Sequence, residues 1–145
     1  MVILDKLCAK TAQRIIAERG NTGKTEADGL STKTLGVLQE QGVYAAVLFL
    51  CSRFGAEPFA KVLMSNLLLL LGEGELSGVG AAYPLPANDT ITAAWVAEKK
   101  ERILKHFTDG ANGNDGIATN LQRLLAVKSL FEQTLIYVRY GAKAL

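Results

Sequence analysis

Apolar residues recur at helical spacing along nearly the whole chain, and no run alternates strictly enough to suggest a strand. A first helix is predicted over Val2 to Arg19, with Leu4, Cys8, Ala12 and Ile15 on one face and Gly20 as its stop. Asn21 to Leu30 reads as a polar, Gly-containing loop. Ser31 then serves as N-cap of a short second helix through Gln41. Gly42 marks a bend, and Val43 to Arg53 is predicted as a central helix, apolar on every side. A helix in that position would bury Phe49.

Pro58 opens a fourth helix that runs to about Leu71, because proline costs nothing in a first turn. Gly72 to Ala87 holds several glycines with Pro84 and Pro86 and reads as a surface loop. Asn88 or Asp89 caps a fifth helix reaching Phe107, and Asp109 to Gly116 forms another loop. The last helix, from about Ile117 to near the end, is the longest. Ile117, Leu124, Phe131, Val138 and Leu145 repeat every seven residues, with Leu121, Leu135 and Ala142 between them and Lys128 interrupting. Val127, Leu130, Tyr137 and Tyr140 widen that apolar surface. The expected fold is therefore all-α: a single-domain bundle of about five to six helices spanning residues 1–145, with surface loops at about 20–30, 72–88 and 108–116.

Composition adds little to this and excludes some function classes. Of 145 residues, 49% are apolar, enough for one continuous core, and 21% are charged, as in ordinary globular domains. Sixteen Lys and Arg against fourteen Asp and Glu give a net charge of +2, which excludes a histone-like polycation but not a local basic stripe. Cys8 and Cys51 are too few and too far apart for a disulfide scaffold, and packed reduced thiols are expected. The beginning, Met1 to Lys6, lacks the order of a secretory signal, and no apolar run approaches the ~20 residues of a membrane span. A cytoplasmic protein is expected.

Catalytic chemistry finds few residues to work with. Gly20-Asn21-Thr22-Gly23-Lys24-Thr25 imitates part of a phosphate-binding loop but lacks the leading glycine and a preceding strand. Asp109 to Gly116 is rich in Asp, Asn and Gly without the ligand order of a calcium loop. His106 is the single histidine and stands at a helix end, with no metal-ligand spacing around Cys8 or Cys51. No catalytic residue, metal site or cofactor is expected, and the chain is read as a non-enzyme.

The basic residues suggest binding. Lys6, Lys10 and Arg14 follow one another at four-residue spacing on the first helix, and Arg139 and Lys143 do so near the end. Lys99, Lys100, Arg102 and Lys105 crowd the fifth helix, diluted by Glu98 and Glu101. Such residues are either a solvated face or contacts to a phosphate backbone, which neutralise charge without reading sequence.

Two segments resemble a known family. Gln39-Glu40-Gln41-Gly42-Val43-Tyr44-Ala45-Ala46-Val47-Leu48-Phe49-Leu50 resembles the bend and buried helix of the small subunit of type III-B (Cmr-type) CRISPR effector complexes. Tyr137-Val138-Arg139-Tyr140-Gly141-Ala142-Lys143-Ala144-Leu145 resembles the family's C-terminal helix. It departs at Tyr137, where the family often has Trp, at Tyr140 in place of a basic residue, and at Gly141 in place of an aromatic. The resemblance implies a non-catalytic subunit of an RNA-guided antiviral complex. Several copies would stack by weak head-to-tail contacts into an inner filament supporting the guide RNA–target duplex. Its implied partners are the other subunits and the RNA backbone, and the residues taken as nucleic-acid-binding are Lys6, Lys10, Arg14, Arg139 and Lys143. The alternative is a helical adaptor that docks on a protein through the last helix, without nucleic acid.

Overall fold

The computed structural model describes residues 2–71, 91–108 and 121–145. The loops expected at 72–88 and 109–116, the caps expected at Asn88 or Asp89, and Ile117 lie outside the described residues. Among those described there are seven helices and no strand: α1 (Val2–Ala17), α2 (Lys24–Gln41), α3 (Val43–Ser52), α4 (Pro58–Leu71), α5 (Ala93–Glu98), α6 (Lys100–Thr108) and α7 (Leu121–Lys143). The all-α reading and the long C-terminal helix hold. At 23 residues, α7 is about 35 Å long.

Helix α4 forms the centre, not α3 as the apolar pattern suggests. Ten of its fourteen residues are buried, including Phe59, Leu63, Met64, Leu67 and Leu71. Asn66 is also fully buried. Its amide donates to Glu18 Oε1 at 3.0 Å and to the Val62 carbonyl at 2.9 Å, which meets the demand that a buried donor be satisfied. Pro58 lies in the first turn of α4, where its missing N–H is not needed.

Helix α3 is covered on one side only. Val43, Ala46, Val47, Leu50 and Cys51 are buried, whereas Tyr44 and Leu48 are exposed and Phe49 is half-buried. Gly42 joins it to α2 with φ 98° and ψ −176°, a conformation reserved almost entirely for glycine.

Helix α2 begins seven residues before the expected Ser31 cap. Its inward stripe is Ala27, Leu30, Ser31, Thr34, Leu35 and Leu38. Two of those positions are hydroxyl residues, so the stripe does not read as apolar. Thr34 resolves its own polarity by donating to the Leu30 carbonyl at 2.8 Å. Residues 24–30, taken as loop, are thus helical, and Ser31 is an interior residue.

The expected fifth helix is broken at Lys99 (φ −115°, ψ 31°) into α5 and α6. Thr92 is its N-cap, accepting from the Trp95 N–H at 3.2 Å. The predicted first helix ends at Ala17, two residues early, and Gly20 follows with φ 61°.

Helix α7 packs against both α1 and α2. Val127, Leu130, Phe131, Leu135, Val138 and Ala142 are buried, and the Phe131 ring meets Phe107 of α6 at 6.2 Å between centroids. The expected seam is therefore occupied within the chain. Leu145 and Tyr140 depart from it, at 48% and 66% exposed. Lys128, the interruption, pairs with Glu132 at 3.9 Å.

Candidate functional site

The five basic residues singled out by spacing do not form one surface. Residues four apart on a helix are offset by about 40°, so a row at i, i+4 and i+8 drifts by about 80° around the axis. Lys6 and Lys10 are exposed, but Arg14 has turned towards the body of the protein and is half-buried. Its Nε is shielded from solvent and makes no hydrogen bond among the described residues.

Arg139 faces the other neighbour of α7. Its Nε lies 3.6 Å from Oδ1 of Asp28 on α2, and both atoms are screened from solvent. Tyr137 and Gly141, on the same helix, face α1: the Tyr137 hydroxyl donates to Asp5 Oδ1 at 2.5 Å, and Gly141 lies against Ile16. Thus α7 separates Arg139 from the α1 stripe. Lys143 is exposed in the last turn. Among the described residues, Lys6, Lys10 and Lys143 pair with no carboxylate. Their charge is available to a partner, while that of Arg139 is partly used within the fold.

Between α1 and α7 lies an open groove of about 410 Å³, lined by Ala9, Ala12, Gln13, Ile16, Ala17, Tyr137 and Gly141. Small residues, Ala9, Ala12, Ala17 and Gly141, make up most of its lining. The hydrogen bond to Asp5 is the main cause holding the Tyr137 phenol above its ordinary pKa, since a carboxylate acceptor favours the protonated donor.

The remaining chemistry of the sequence resolves plainly. Cys8 and Cys51 are buried free thiols. Burial raises both, Cys51 to about 11, and Cys8 Sγ donates to the Leu130 carbonyl at 3.6 Å. Gly20 to Thr25 joins α1 to α2, so a helix follows it, contrary to expectation, but a helix also precedes it where a phosphate loop needs a strand. Among the described residues no three His, Cys, Asp or Glu side chains are grouped to hold a metal. No described helix is long and apolar enough to cross a membrane.

The open side of α3 is the feature that sequence reasoning missed. A ten-residue helix without a single charge reads as fully buried, yet Leu48 remains 46% and Tyr44 38% exposed. Its chain neighbours carried no signal of this, because apolar periodicity cannot tell which side lacks a partner. Comparison with known proteins gives no matching family model, no matching curated protein and no matching solved structure.

Proposed function

We propose that the chain is a non-catalytic small subunit of an RNA-guided, type III-B-like antiviral effector complex. Several copies stack by weak head-to-tail contacts and support the guide RNA–target duplex through its phosphates. Base pairing supplies specificity in such a system, and the protein contributes shape and charge. Cleavage belongs to other subunits, so the purified chain neither hydrolyses nucleotides nor cuts RNA.

The observation that carries the reading is Gly42. The glycine at the bend of the first resembling segment occupies a joint whose φ of 98° demands glycine, so that part of the likeness has a physical reason. Exposed Lys6, Lys10 and Lys143 support it further, as cations open to a phosphate backbone.

The test is RNA-duplex affinity across a salt series. Each lost phosphate contact lowers the slope of log affinity against log salt by just under about one unit. Lys6→Ala/Lys10→Ala should weaken binding for every sequence and flatten the slope, whereas Arg139→Ala should do less. Unchanged affinity and slope in the double variant would overturn the RNA reading. The uncharged open side of α3 would then favour the second reading, a helical adaptor that docks on protein.

A further inference from the structure

The groove between α1 and α7 has one basic bank and one uncharged bank. Gln13 and Ala17 line it from α1. Residues seven apart on a helix differ by only about 20° around its axis. Lys6 therefore shares the side of Gln13, and Lys10 the side of Ala17. Both lysines are exposed and pair with no carboxylate among the described residues. The nearest acids along the chain are engaged elsewhere: Asp5 accepts from the Tyr137 hydroxyl, and Glu18 from the buried Asn66 amide. On the α7 bank, Tyr137 and Gly141 line the groove, and Tyr140 stands outside them, 66% exposed.

We propose that this groove seats an amphipathic helix of a partner protein, aliphatic on its buried side and acidic on the flank that meets Lys6 and Lys10. The lining from Ala9 to Ala17 is about 12 Å long, just over two helical turns, which suits three aliphatic anchors at i, i+4 and i+7. Ala9, Ala12 and Gly141 are small, so a third helix can approach α1 and α7 closely. The two lysines, one turn apart, then meet two acids spaced likewise on the partner. An RNA backbone also seeks lysines. The lining itself, however, is mostly aliphatic and holds no charged residue, which favours leucine-like side chains over phosphates.

So short a seat falls below the ~1,200 Å² of total buried area typical of stable complexes, so the helix binds weakly and reversibly. The inference does not rest on the RNA reading, which uses the same lysines but not the groove.

Two synthetic peptides of about 18 residues, long enough to hold a helix, test it against the full chain. Both carry leucines at i, i+4 and i+7, flanked by glutamates in one peptide and by lysines in the other. The glutamate peptide should bind with a dissociation constant between roughly 10 μM and 1 mM. In a nuclear magnetic resonance titration it should shift the Gly141 amide. Ala9→Leu, which sets a larger side chain in the groove, should weaken binding at least about ten-fold. Lys6→Glu/Lys10→Glu should reverse the preference towards the lysine peptide, with an unchanged unfolding midpoint because both residues are exposed. No binding of the glutamate peptide overturns the inference. So does equal binding of the two peptides, or binding undiminished in Ala9→Leu. RNA-duplex affinity of Ala9→Leu is measured alongside. Unchanged affinity supports a helix in the groove, and a fall like that for the peptide would make nucleic acid the occupant and overturn it.

Discussion

A β-carbon on Gly141 would stand 3.1 Å from Cγ1 of Ile16, so α1 and α7 approach as closely as they do because one of them lacks a side chain. Gly141→Ala sets two effects against each other. Alanine in a helix is favoured over glycine by about 1 kcal/mol, and Ile16 must move by a few tenths of an ångström. Ile16 borders the open groove and has room to turn into it. The expected change in unfolding free energy therefore stays within about 1 kcal/mol, and Gly141→Ile should lose about 1–3 kcal/mol by overpacking. Denaturant titration checks both, and a large loss in the alanine variant would mean that Ile16 is fixed.

The two phenylalanines Phe131 and Phe49 differ in what surrounds them. Phe131 is 1% exposed and packs on Phe107, whereas Phe49 is half-buried beneath Arg53. Phe131→Ala should cost about 3–5 kcal/mol, and Phe49→Ala less than about 2 kcal/mol. Equal losses in denaturant unfolding would place Phe49 in the core and contradict the one-sided burial of α3.

Cys51 gives the fold a pH dependence on the alkaline side. Burial raises its pKa from 9.0 to about 11, with Lys100 lowering it in part. Below pH 9 the thiol is neutral folded and unfolded, so it contributes no pH dependence. Between 9 and 11 the unfolded chain releases the proton and the folded chain keeps it, so stability falls as pH rises. The loss by pH 10 is about 1–1.5 kcal/mol. Stability measured from pH 8 to pH 10 should therefore fall less steeply in Cys51→Ala. Parallel curves would show that the thiol ionises as readily in the folded protein.

Elements whose apolar residues agree with their local signals were legible in the sequence. Gly42 and Pro58 punctuate α3 and α4 at the expected places, and the inward face of α7 follows its seven-residue repeat. Helix α2 was obscured because Ser31 and Thr34 occupy buried positions with polar side chains. The break at Lys99 has no glycine or proline to announce it, and Val96, Ile103 and Phe107 keep a helical rhythm across it. Among the candidate contacts, Lys6, Lys10 and Lys143 could be placed outside from spacing alone. Arg14 and Arg139 could not, because what they face depends on neighbours supplied by helix packing: the body of the protein for one, and Asp28 for the other.

The pairing of α7 with α1 and α2 also has a consequence for biosynthesis. Cys8 with Leu130, Ile16 with Gly141 and Asp28 with Arg139 each join α1 or α2 to α7. A ribosome adds about 5–20 residues per second, so α1 and α2 emerge on the order of ten seconds before the helix that covers them. Through that interval Ile15 and Leu38, fully buried in the finished protein, have no α7 to shelter them. Helix α7 thus acts as a latch on helices made well before it: until it is synthesised, α1 and α2 lack one of the partners that cover their apolar faces.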